Sequence, residues 1–165
     1  MSTATLPAEH PTVPADASPT APAPPASSTP AGLDYATVRT LSLEICAGLQ
    51  PEDFVPQPIA DVSPAKWHLA HATWFFETFV LVPHLEGYRV FDEAFAFLFN
   101  SYYEAAGPRI LRTQRGNMTR PTTAEVRAYR AHVDAAVAEL FCRKADDEEV
   151  MGLVQLGLHH EQKHQ

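Results

Sequence analysis

Basic side chains are scarce in this sequence: 12 Lys and Arg stand against 20 Asp and Glu, for a formal net charge of −8. With no basic stripe to neutralise phosphates, nucleic acid and anionic membrane surfaces are excluded as expected partners. Long hydrophobic runs are missing as well. Every apolar stretch is broken well before the ~18 residues that a membrane span needs, so no spanning helix is expected. The N-terminus has neither the Lys/Arg region nor the apolar region of a secretory signal, which makes the expected location cytoplasmic. Cysteine is reduced to Cys46 and Cys142. They lie far apart without metal-ligand spacing, which excludes a disulfide framework and leaves them as small apolar residues on helices. The 165 residues suffice for one domain with a proper core, not two.

What is present divides in two. Residues 1–32 hold 8 of the 15 prolines and almost no large apolar side chains. Such a segment cannot bury enough surface to offset the entropy of ordering, so a disordered Pro/Ala-rich tail is expected, with His10 solvated in it. From residue 33 onward a 3.6-residue periodicity sets in. Val38, Leu41, Ile45 and Leu49 mark one stripe of a first helix over 33–49. A second helix is expected to start at Ser63-Pro64, with Ser63 as N-cap, and to run toward Pro83. A shorter helical piece is expected within 92–108, followed by a loop carrying Arg109, Arg112, Arg115 and Arg120. Thr122 and Glu125 form a capping box for a third long helix, and Asp146-Asp147 place acidic residues at the positive end of the last. No strand pattern stands out. The expected fold is all-α, a bundle of four main helices over 33–165.

Histidines concentrate at the end of the chain, in "LGLHHEQKHQ". Val150, Leu153, Gly157, His160 and His164 follow at steps of three or four, which carries two imidazoles along an inward stripe. On the second helix Trp67, His71, Trp74 and Leu81 make a similar stripe, with His68 a fraction of a turn away. An i, i+4 histidine pair presents two nitrogens about one turn apart, and a third from a facing helix completes a tripod for a metal. His71, His160 and His164 are therefore expected to converge on one ion at ~2.0–2.2 Å. Glu161 falls off the stripe and reads as a solvated residue or one behind the ligands. Lys163 and Gln162 read as solvent-facing, and His84, His132 and His159 as bystanders.

The blocks "SPAKWHLAHATWFFETFVL", "FLFNSYYEAAGPR", "RTQRGNMTRPTTAEVRAYRAHVD" and "LGLHHEQKHQ" closely resemble, in this order, the N-terminal half of the ergothioneine-biosynthetic sulfoxide synthases. The resemblance implies a DinB-like four-helix bundle and a non-haem iron(II) site on His71, His160 and His164. It implies an oxygen-dependent C–S bond formation between the imidazole of trimethylhistidine (hercynine) and the thiol of cysteine or γ-glutamylcysteine. Three imidazoles on one face of an octahedral ion leave three positions for dioxygen, thiolate and acceptor imidazole. Arg112 and Arg115 then become candidates for holding the thiol substrate's carboxylates through bidentate pairs.

Members of that family continue past this helix into a C-terminal domain of the formylglycine-generating-enzyme type, with a catalytic tyrosine. The expectation is therefore a fragment, or a chain whose C-terminal half is a separate polypeptide, inactive by itself. Two other readings are open. One is a stand-alone DinB-like hydrolase or thiol transferase using zinc or nickel on the same three histidines. The other is a helical remnant without catalysis.

Overall fold

The computed structural model describes residues 34–101, 103 and 107–165. The tail expected over 1–32, with His10, lies outside the described residues. Those residues form helices and connections, with no strand among them. The elements are α1 (Tyr35–Ile45), α2 (Ala65–Phe75), a π-helical turn (Phe76–Leu81), α3 (Val82–His84), α4 (Phe95–Phe99), α5 (Thr123–Lys144) and α6 (Glu148–His164). Two 3₁₀ turns, Pro51–Phe54 and Arg112–Asn117, lie in the connections.

Local chemistry accounts for most of the boundaries. Asp34 accepts a hydrogen bond from the Thr37 amide at 3.2 Å and starts α1. Thr122 Oγ1 accepts from the Glu125 amide at 3.1 Å while Glu125 accepts from the Thr122 amide at 2.6 Å, the reciprocal box that starts α5. Asp147 accepts from the Val150 amide at 3.2 Å and starts α6. Ser63 does not cap α2. Its hydroxyl instead accepts from Arg115 Nη1 at 2.9 Å, a contact with the arginine loop that competes with the local one. The second helix also does not stop before Pro83. The backbone passes through the wide π turn and continues into α3. Proline removes one helical hydrogen bond and crowds the carbonyl of the preceding turn, and a widened turn just ahead of it relieves both.

α2 occupies the centre of the bundle, packed against α4, α5 and α6, while α1 lies along α6. Nine of its eleven residues are buried, including Trp67, His71 and Trp74. Gly157 on α6 admits the π turn that follows α2: a Cβ there would sit 2.6 Å from Cε1 of Phe76, so only glycine leaves room for that ring. The core joins Phe54, Trp74, Phe76, Phe99, Tyr129, Leu140 and Leu158.

The orientation of α1 departs from its apolar stripe. Leu41 and Ile45 are 43% and 54% exposed, while Val38, Arg39, Ser42 and Cys46 face inward. The helix is turned because Arg39 and Ser42 reach a buried carboxylate on α6, and a satisfied buried ion pair outweighs two half-covered aliphatics. Cys142 is exposed on α5. No helix among the described residues is long and apolar enough to cross a membrane.

Candidate metal centre

His71, from the middle of α2, meets His160 and His164, from the last turns of α6, at one end of the bundle. The three ring centroids are separated by 4.8, 4.8 and 4.7 Å. The ring planes cross at 75°, 80° and 73°, so the imidazoles stand nearly perpendicular to one another. One ligand atom from each can be chosen so that all lie within 4.8 Å of one another. Nε2 of His71 and Nε2 of His160 are 3.1 Å apart. Two adjacent ligands at about 2.1 Å from an octahedral ion are separated by about 3.0 Å, so this edge already has the spacing of a coordinated pair.

The surroundings fix which lone pairs are available. His71 Nδ1 is 2.6 Å from the Phe99 carbonyl, which can only accept, so Nδ1 carries the proton and Nε2 presents its lone pair to the triangle. The His71 ring lies nearly parallel to Trp67, 4.4 Å away, and to Trp74, 5.5 Å away. These indoles hold its orientation and shield it from water. Burial, then the neighbouring His160, drives its pKa down to about 2 despite the Phe99 hydrogen bond. Burial likewise lowers His160 to about 4, and burial followed by His160 and His68 lowers His164 to about 3. All three are neutral donors at pH 7. The set suits a borderline divalent ion such as iron(II), zinc or nickel.

A cleft of about 410 Å³ opens over the triangle. Arg112, Arg115 and Lys163 lie on its walls, so both arginines singled out from the sequence come to the histidine site. Their settings differ. Arg115 is buried, donates to Ser63 and Ser101 at 2.9 and 3.1 Å, and lies 3.5 Å from the centre of the Trp67 ring. Arg112 donates to the Asp61 carbonyl at 3.2 Å. Each Nη atom of Arg115 donates to a protein hydroxyl, and its guanidinium adds positive field to the cleft. Lys163 is exposed at the cleft rim.

Behind the histidines lies a network that the apolar pattern did not reveal. Glu161 is 1% exposed, accepts from Arg39 Nη1 and Arg130 Nη2 at 2.8 Å each, and accepts from Ser42 at 2.5 Å. Burial pushes its carboxyl up, but Arg39 and Arg130 more than offset this and hold it below the ordinary carboxylate range. Arg39 also pairs with Asp134 at 2.7 Å. Its signal in the sequence is periodic: Val126, Arg130, Val133 and Val137 form one buried stripe of α5 with a charge inside it. Val150, Val154, Gly157 and Glu161 do the same on α6. His68, a fraction of a turn from the inward stripe of α2, has Nδ1 2.8 Å from Nδ1 of His164. His159 is exposed beside Gln155, and His132 contacts the Arg89 carbonyl far from the site.

A family model described as the DinB superfamily matches residues 34–165. The chain belongs to the DinB superfamily. No curated protein matches it at a significant level. The DinB domain spans all four main helices, and its histidine triangle is assembled from the second and the last of them.

Protons should compete with folding at this triangle. The unfolded rings titrate near the ordinary histidine value of 6.5, above the folded values, so the unfolded chain takes up protons first as pH falls. Stability is therefore full above about pH 6.5 and declines below it. The carboxyls held low in the fold, Asp34, Glu125, Asp147 and Glu161, add their own loss only near and below their ordinary values of 3.8–4.5. The urea midpoint of the metal-free domain is expected to fall steadily between pH 6.5 and 5, before those carboxyls contribute. A midpoint that stays flat across that interval would contradict neutral, buried imidazoles.

Proposed function

We propose that this DinB domain holds one iron(II) ion on His71, His160 and His164 and serves oxygen-dependent joining of a thiol to an imidazole. This is the reaction of the ergothioneine-biosynthetic sulfoxide synthases, which its sequence blocks resemble. The observation that carries the reading is the triangle of three neutral, mutually perpendicular imidazoles beneath a cationic cleft. Three neutral ligands leave the charge of a divalent ion uncompensated, which favours an anionic co-ligand such as a thiolate. When bound, iron(II) supplies the redox chemistry that brings dioxygen and thiolate together.

The chain's own groups bind and orient. The Phe99 carbonyl holds the His71 tautomer, and Trp67 and Trp74 hold its plane. Arg112, Arg115 and Lys163 draw a carboxylate-bearing thiol into the cleft, in keeping with cysteine or γ-glutamylcysteine. The other substrate is hercynine. The overall step balances: one imidazole C–H and one S–H are broken, a C–S bond and an S–O bond form, and the second oxygen atom of O₂ leaves as water. The four electrons that reduce O₂ come from joining carbon to sulfur and from oxidising that sulfur to the sulfoxide.

Metal analysis and oxygen uptake test the reading together. One iron per chain is expected after anaerobic loading. Oxygen consumption that requires both hercynine and the thiol is expected when the domain is joined to a C-terminal domain of the kind those synthases carry. Tight zinc or nickel binding, with no oxygen uptake in the joined protein, would replace this reading by hydrolytic or thiol-transfer chemistry.

A further inference from the structure

We propose that His68 is a positioning residue for the metal centre: by accepting a hydrogen bond from His164 at Nδ1, it fixes the tautomer that turns the Nε2 lone pair of His164 toward His71 and His160. This role rests on the metal reading of the triangle and deepens it.

Protons and lone pairs decide the matter. The two Nδ1 atoms are 2.8 Å apart, so one nitrogen donates a proton and the other accepts it. A neutral imidazole has a single N–H, and whichever ring nitrogen carries it cannot bind a metal. Because His164 spends Nδ1 on His68, only Nε2 is left for the triangle. The proton must then sit on Nδ1 of His164, and His68 must supply the lone pair. The opposite arrangement would place the proton of His164 on Nε2 and close the third corner of the site.

The neighbouring corner shows the same arrangement. His71 is set in the same way by a different acceptor, the Phe99 carbonyl. His160 has no such support: its Nδ1 is buried without a hydrogen-bond partner among the described residues. Two of the three corners therefore have a built-in orienting group, one of them a histidine that the inward stripe had left aside.

Nitrogen-15 NMR of the histidines and cobalt(II) titration test this. In the metal-free wild-type chain His164 is expected as the Nδ1–H tautomer, and finding it as Nε2–H would overturn the proposal. His68→Leu should weaken cobalt(II) binding about 10- to 100-fold, the usual cost of removing a group that orients a ligand. His68→Asn, whose amide oxygen stands close to where Nδ1 stood, should recover most of that loss. Equal weakening in both variants, or none in His68→Leu, would overturn it. Should the leucine variant fail to fold, the wild-type tautomer and the asparagine variant still decide. If the wild-type chain binds no metal, the iron reading falls, while the tautomer of His164 separately decides whether His68 is the acceptor.

Discussion

Stoichiometric iron binding is expected to vanish in His160→Ala and to survive in His159→Ala. The two residues are neighbours in sequence but lie about 100° apart around α6. His160 stands with Nε2 3.1 Å from that of His71, whereas His159 is exposed beside Gln155. Zinc sites of four ligands give about 10–16 kcal/mol of binding, so one ligand of three is worth roughly 3 kcal/mol or more. That corresponds to at least a ~100-fold loss of affinity. Metal-to-protein ratios after desalting, with calorimetric titration, read this directly. Equal retention of iron by both variants would show that α6 does not present His160 to the site.

The second large effect concerns stability rather than metal. Glu161→Leu removes the carboxylate shared by two buried guanidiniums. Arg39 keeps Asp134, but Arg130 loses its acidic partner within the core. Breaking one side of a buried ion pair costs about 3–5 kcal/mol, because the partner's charge stays buried without compensation. The melting temperature should fall by roughly 10–20 °C. Glu139→Gln, which breaks the exposed Arg143–Glu139 pair on α5, serves as the contrast and should change stability by no more than about 1 kcal/mol. Similar losses in the two variants would mean that Glu161 does not anchor the two guanidiniums in the core.

The contrast between Glu161 and Glu139 also marks where sequence reading stops. Both are glutamates on amphipathic helices; Glu161 continues the stripe of Val150, Val154 and Gly157 and Glu139 continues none, but a stripe alone does not bury a carboxylate. Thr122 with Glu125 and Asp147 with Val150 were legible because cap and partner are three residues apart and satisfy each other without help from the rest of the fold. The i, i+4 spacing of His160 and His164 was legible for the same reason. Arg39 was not, because its partner Glu161 lies 122 residues away on another helix. His68 was not, because its partner His164 lies 96 residues away.

By itself, the sequence determined the helical class, the start of the third long helix and of the last, and the placing of His71, His160 and His164 on faces that turn toward a core. Backbone hydrogen bonds and side-chain periodicity act within a turn or two, so a single helix carries that information. Only the tertiary structure decided the rotation of α1, the burial of Glu161 between two arginines, the use of Ser63 by Arg115, and the pairing of His68 with His164. Periodicity gives the direction of a stripe to within a fraction of a turn. Which of two neighbouring stripes is buried depends on whether a polar group finds its partner on the facing helix, and that partner exists only once the helices have packed.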